Sequence, residues 1–378
     1  MKQPSQHKNA LLLIPALLLG TSFASPVAFA QNAMLEEVVV TARKRTESLQ
    51  DSPVSVRAFT SAEIQSAGIE SPQDFINLTP NVTLVQTQNA GNSFITMRGI
   101  TQNRNSEMSA AVLVDGVLMS NPAQFNQQLF DIEQIEVLRG PQGALYGRNA
   151  IGGAITIVSK APSEELEANV TVTAVDDPGY RVKGVVSGPI NDSKTLRYRV
   201  SGAYTDFDGN IDNEYLDDEA NPVEDFSGRV RLLWEPREDF SGDLRISYGD
   251  LDTKALYYTI GDEADNTSLD VLNNNKGTNE REFINVALKL NWEFDFGSLI
   301  SITAYDDLDE LLTGDQFNFL PREQSFINSD PFGDYLKSLT GDEFIDLSQN
   351  QYLEVESWSQ EIRFVSPSDK RLRWIAGG

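Results

Sequence analysis

From about residue 166 onward the chain alternates apolar and polar residues with a period of two, which restricts it to strands with one apolar and one polar face. The longest example sets Ile284, Val286, Leu288, Leu290, Trp292 and Phe294 against Asn285, Ala287, Lys289, Asn291, Glu293 and Asp295. Leu166, Ala168, Val170, Val172 and Ala174 repeat the pattern, as do Leu196, Tyr198 and Val200, and Val230, Leu232 and Trp234. About nine such segments fit before the chain ends. Strands of this kind suit a soluble sandwich or a membrane barrel. The connections separate the two. Short turns near Asn191-Asp192, Pro236 to Phe240, Phe296-Gly297 and Pro367 to Lys370 alternate with long stretches at Asp206 to Asp225, 250–281 and 306–356. A membrane barrel sorts its loops in this way, tight at one end and long at the other. A sandwich has no reason to. Tyr204, Trp234, Tyr248, Trp292 and Tyr305 lie near strand ends, where two interfacial girdles are expected.

The start of the chain points to export. Lys2, His7 and Lys8 precede a Leu-rich run, Ala10 to Leu19, which is shorter than the ~20 residues of a membrane-spanning helix. Ala28-Phe29-Ala30 reads as a cleavage site, so residues 1–30 are expected to be a signal peptide and Gln31 the first mature residue. Against 30 Lys and Arg stand 56 Asp and Glu, a net charge of −26. That balance argues against nucleic acid as a partner. There is no Cys, and the single His leaves with the signal. Thiol chemistry, disulfides, His-based triads and His/Cys metal sites are thereby excluded from the mature chain. Neither an enzymatic activity nor a cofactor is expected. Asp206, Asp208, Asn210, Asp212 and Asp217 have spacings close to a calcium loop, but Ile211 stands where such a loop needs Gly, and Asp217 where it needs Glu. A solvated acidic loop is the preferred reading.

Residues 31–45 include the run LEEVVVTARKR at 35–45, a short apolar stretch between acidic and basic residues. Val38, Val39 and Val40 favour a strand. A strand near a free terminus, without a partner of its own, can be captured by the sheet edge of another protein. Residues 46–162 read as a mixed α/β domain. Ser61 to Ala67, followed by Gly68, is expected as a short capped helix, and Pro72 to Leu78 as a second, stopped by Pro80. Thr96 to Ile100 is expected as a strand, Ala111 to Leu118 as a hairpin turning at Asp115-Gly116, and Asp131 to Leu138 as another strand. The Gly-rich run 140–153 lacks the Gly-Lys-Ser/Thr of a nucleotide loop, so its glycines are assigned to turns and tight packing, before a strand at Ala154 to Val158.

These residues carry a family resemblance that covers all of the mature chain. Glu36 to Ala42 is similar to a TonB box, and ITMRGI at 95–100, VLVDGV at 112–117 and IEQIEVLRGPQGALYGRNAIGGAITIVSKAP at 132–162 resemble the plug of a TonB-dependent outer-membrane receptor of Gram-negative bacteria. WSQEIRF at 358–364 resembles a recurring barrel-strand motif of the same family. The resemblance implies a mixed α/β plug domain (46–162) inside an antiparallel transmembrane β-barrel, of which 163–378 would supply about nine of about 22 strands. The chain is accordingly expected to be the N-terminal part of a longer protein.

It further implies a periplasmic partner, the TonB C-terminal domain, which would capture Glu36, Glu37, Val38, Val39, Val40, Thr41 and Ala42 as an added strand. The cargo implied is a scarce extracellular ligand, a ferric siderophore first, with cobalamin, haem or an oligosaccharide as alternatives and a passive pore as a lesser one. Arg98 and Arg139, each followed by Gly, resemble plug arginines that pair with barrel glutamates, and Glu361 is in the polar phase of its strand and is the expected partner. Ligand contacts are expected on the polar plug loops, at Gln88, Asn103, Arg104, Gln124 and Phe125. Those loops carry only one cation, Arg104, and suit a neutral chelate or a sugar.

Overall fold

The computed structural model describes residues 38–41, 44–45, 47–86, 90, 93–103, 106–174, 178–255, 271–315, 328–329, 331–342, 344–346 and 348–378. The expected signal peptide, 1–30, lies outside them.

Short elements open the described chain: β1 (Val39–Val40) pairs antiparallel with β2 (Glu47–Ser48). The plug follows, with β3 (Ser55–Thr60), α1 (Ser61–Ser66), α2 (Pro72–Asn77), β4 (Val82–Gln86), β5 (Ser93–Met97), β6 (Ile100–Thr101), β7 (Ala110–Val114), β8 (Val117–Leu118), β9 (Ile132–Arg139), α3 (Gly143–Tyr146) and β10 (Gly153–Ser159). A five-stranded sheet runs in the order β3-β9-β10-β7-β8, with only β10 and β7 parallel, and β4-β5-β6 form a second sheet. Both expected helices are present. Thr60 and Glu63 form a capping box on α1, and Asp74 accepts the Ser71 amide at the start of α2. Phe59, Phe75, Phe125, Ile135 and Ile155, all fully buried, form the core between these helices and the sheet. Such packing lets a domain of modest size hold its shape.

Two expectations need correction. The strand expected at Thr96 to Ile100 is a hairpin, because Arg98 and Gly99 (φ 52° and 80°) form its turn between Met97 and Ile100. Positive φ at both central positions is the geometry of a tight hairpin turn. The Gly-rich run also contains a helical turn, α3, that its composition hid.

The remaining strands are β11 (Glu167–Ala174), β12 (Gly179–Pro189), β13 (Leu196–Phe207), β14 (Asp212–Asn213), β15 (Asp218–Glu219), β16 (Val223–Arg237), β17 (Phe240–Thr253), β18 (Thr278–Phe294), β19 (Gly297–Asp315), β20 (Ser348–Val365) and β21 (Ile375–Gly377), with α4 (Phe332–Thr340) inside the longest connection. Leaving out the β14-β15 pair, they form one antiparallel nine-stranded sheet in chain order. The helix α4 had no expected counterpart, and β19 and β20 run further into that connection than the alternation alone suggested.

The faces of this sheet decide its environment. Val200, Trp234 and Leu288, in the apolar phase, are 44%, 49% and 39% exposed, whereas Arg199, Arg245 and Arg281, in the polar phase, are 5%, 4% and 3% exposed. The apolar face is outside and the charged face is covered by the plug. A soluble sandwich would have the reverse arrangement, and a lipid-facing barrel wall has this one. No helix among the described residues is long and apolar enough to cross a membrane.

Candidate functional site

The box segment lies at the short-turn end of the sheet. Val39 is 43% exposed while Val40 is fully buried. Leu49 donates its amide to the Val38 carbonyl at 2.9 Å, and the Gln134 side chain donates to the Val39 carbonyl at 2.9 Å. Thr41 donates its amide and its hydroxyl to Glu136 Oε1 at 2.7 and 3.1 Å. Lys44 Nζ reaches Glu361 Oε1 at 2.8 Å. Arg45 donates to the Ser366 carbonyl and hydroxyl at 3.0 and 3.1 Å and to the Trp374 carbonyl, all in the turn between β20 and β21. The strand expected to lack a partner has one in β2, and the segment is tied to the plug by that pairing and the buried Val40, and to the wall by polar contacts at its edge. Glu36, Glu37 and Ala42 lie outside the described residues.

Glu136 is the most unusual of these partners. It is fully buried in the middle strand β9, between Ala58 and Thr156 on its neighbours. Burial raises its carboxyl above the ordinary value, and the two Thr41 donors pull in the opposite direction. Its second oxygen has no hydrogen-bond partner.

Apart from Lys44–Glu361, the ion pairs between plug and wall run opposite in sign to the expected pairing. Glu361 meets Lys44 and Arg363, not Arg98 or Arg139. Arg139 donates to the Pro80 carbonyl at 3.2 Å, and Arg98 packs its guanidinium over Gly140. Both plug arginines serve turns of the plug itself. The wall supplies the cations instead. Arg199 holds Asp131, with Nε 2.6 Å from Oδ2, Arg245 holds Asp115, and Arg181 and Lys183 hold Glu70. Arg231 donates to the Ser159 and Lys160 carbonyls at 2.9 and 3.1 Å, and Arg281 to those of Ala123 and Asn126 at 2.6 Å each. Asp115 also accepts the Ser159 amide and hydroxyl at 2.7 Å each. Burial alone would raise the Asp115 carboxyl, but Arg245, Arg231, Arg229 and the Ser159 amide together hold it at about 2.

Two of the expected ligand contacts are likewise corrected. Phe125 is 1% exposed and packs edge-on against Phe75, with ring centres 6.4 Å apart. Gln124, at 3%, bonds Ser120 and lies 3.4 Å from Asp306 of the wall. Both are spent on packing and docking rather than presented to a ligand. Asn103 is exposed, and Gln88 and Arg104 lie outside the described residues. Among the described residues no group of three or more His, Cys, Asp or Glu is placed to hold a metal ion.

Asp115, Asp131 and Glu136 escaped the sequence reading as site residues. Asp115 and Asp131 share a signal, since both adopt positive φ (49° and 56°), the turn geometry that a short polar side chain tolerates. For Glu136 the signal is a carboxylate set between Ile135 and Val137-Leu138, out of step with the apolar residues around it.

The geometry and one family comparison define the class together. Residues 48–154 match the family model described as the TonB-dependent receptor plug domain. Residues 48–154 are thus a plug domain of the TonB-dependent receptor type, packed against an antiparallel sheet that resembles part of the barrel of a solved receptor. Among individual proteins, it is 33% identical to the pesticin receptor of Yersinia pestis over 182 residues, 47% of this chain and 27% of that one. It is 29% identical to a vitamin B12 transporter of Vibrio vulnificus over 209 residues, 53% of this chain and 32% of the relative. The solved ferric yersiniabactin uptake receptor of Yersinia pestis superposes with a TM-score of 0.72 at 21% identity, over 86% of this chain and 47% of that structure. The chain therefore spans about a third or less of the curated relatives it matches, and under half of the solved structure.

Proposed function

We propose that this chain supplies the plug and part of the barrel of an importer that carries a ferric siderophore across the outer membrane, driven by TonB pulling on residues 36–42. The observation that carries this reading is the box segment itself. Its described residues, 38–41, are extended and half exposed at Val39, lie at the short-turn end, and are held by the short β1-β2 pairing, by the buried Val40 and by a few polar contacts. The outer membrane has no ion gradient or nucleotide supply, so active uptake there needs a mechanical link. An extended segment is suited to strand addition, in which main-chain hydrogen bonds supply the affinity.

The name of the ferric yersiniabactin uptake receptor favours an iron chelate as cargo. The vitamin B12 transporter supports cobalamin as the second reading. Asn103, exposed on a plug loop, remains a candidate ligand contact.

The test is capture of the TonB C-terminal domain by the purified full-length receptor. Val39→Pro removes a backbone donor and fixes φ. Capture should fall at least tenfold while the barrel remains folded and displayed. Equal capture by Val39→Pro would remove the box assignment.

A further inference from the structure

Charge is sorted across the wall. Within β12 to β20 every Arg and Lys except Arg237, at the end of β16, lies in the inward phase, while the outward phase near the long loops carries Glu224, Asp252, Glu282 and Asp309. Most of the inward cations are engaged, as described for Arg199, Arg231, Arg245 and Arg281. Lys289 is different. It is exposed, and it makes no hydrogen bond or ion pair with any described residue. It stands where two cavities meet. One, about 250 Å³, lies between the plug strands and the wall, and the other, about 500 Å³, continues to the short-turn end. Lys44, Arg45, Asp243, Lys289 and Ile300 line both. The first is bordered by the cations Lys44, Arg45, Arg231, Arg245, Lys289 and Arg363 against two carboxylates, Asp115 and Asp243. This excess of positive charge sits inside a chain whose net charge is −26.

We propose that this space between plug and wall is a binding station for a small multivalent oxyanion, with Lys289 as its free charge. A cleft lined by one sign of charge between low-dielectric walls concentrates ligands of the opposite sign. Lys289 forms no ion pair with a described residue, and Asp115 and Asp243, the two carboxylates at the cavity, are already bonded to Arg245 and Arg231, so an incoming anion supplies its contact partner. Lys44 and Arg45 follow the box directly and form the boundary shared by the two cavities. Withdrawing the box would carry them away and join the station to the mouth. Only that last step, which makes the anion a cargo, rests on the import reading.

Residues 1–378 hold no Cys, so Ile300→Cys, with any Cys of the remaining sequence replaced by Ser, places one thiol at the junction. In the full-length receptor, that thiol is reacted with sulfonatoethyl methanethiosulfonate and, separately, with the trimethylammonioethyl reagent, each rate divided by its rate with a free thiol. The anionic reagent should be favoured about fivefold, from a unit charge acting across a partly screened cleft. Adding Lys289→Gln should bring the ratio close to one, and Lys289→Arg should restore it, which separates loss of charge from loss of fold. Citrate and pyrophosphate should each be tried as protectants. Protection by citrate alone assigns carboxylate-bearing ligands, and by pyrophosphate alone phosphate-bearing ones. A ratio that favours the cationic reagent, one indifferent to Lys289→Gln, or protection by neither anion overturns the proposal. The readout needs neither TonB nor cargo, so it can fail while the import reading stands, and the reverse.

Discussion

At the scale of single residues, the two buried plug carboxylates respond to pH in opposite directions. Asp115 is held at about 2, below its ordinary 3.8. Its contribution is therefore complete above pH 3.8 and is lost as pH falls through about 2, and the shift corresponds to about 2 kcal/mol. Asp115→Asn should remove that acid-sensitive step from calorimetric unfolding of the receptor. It should also cost about 3 kcal/mol at neutral pH, because Arg245 is left buried without its partner. An unchanged unfolding profile would show that the pair does not clamp the plug. Glu136 is raised above its ordinary 4.5, so its contribution is complete below 4.5 and is lost as pH rises through its folded value. Glu136→Gln should therefore flatten the fall in plug stability on raising the pH from 4.5. It should keep an acceptor for Thr41, so the box segment should stay docked. Parallel slopes in the two proteins would mean that Glu136 is already ionised in the fold at no cost.

At the scale of elements, Gly153 opens β10 where a side chain has no room. A Cβ there would run into the Leu138 carbonyl and the Met97 sulfur. Gly153→Ala should cost the plug about 1–3 kcal/mol, read as a lower unfolding midpoint with the barrel transition unmoved. An unshifted midpoint would mean that β9 and β5 yield freely. Much of this level was legible in the sequence. Alternation fixed the nine-strand sheet and its faces, and turn chemistry placed α1, α2 and the Asp115-Gly116 hairpin, whose φ angles are 49° and 88°. What could not be read was partner choice across long separations. Arg199 finds Asp131 only because the register of β13 and the turn before β9 bring them together. Arg-Gly pairs drew attention to Arg98 and Arg139, but the glycines there serve turns, and both arginines stay within the plug. The polar character of the loop around Gln124 suggested exposure, whereas Phe125 beside it anchors the loop in the core.

At the scale of the whole molecule, the described sheet has the proportions of a membrane wall. Its outward aromatic side chains form two rows. Tyr180, Tyr204, Phe226, Tyr248, Tyr305 and Trp358 form one, and Trp234, Phe240, Trp292, Phe294, Phe364 and Trp374 the other. Phe226 and Trp234 are about eight residues apart on β16, or ~26 Å at ~3.3 Å per residue. At a strand tilt of ~40° that is ~20 Å of height, close to the apolar band of an outer-membrane barrel. The box segment lies at the end of this wall with the short turns, the end that faces the periplasm in such barrels. A pull from that side would act first on Thr41, Lys44 and Arg45. The most direct measurement is uptake by the complete receptor in iron-starved cells that lack their own receptors. A panel of ferric siderophores would be followed with and without a protonophore, for the wild type and Val39→Pro. One chelate should accumulate in wild-type cells, and both the protonophore and Val39→Pro should abolish its uptake while surface binding persists. Accumulation that is indifferent to both would contradict energised import and leave a passive pore.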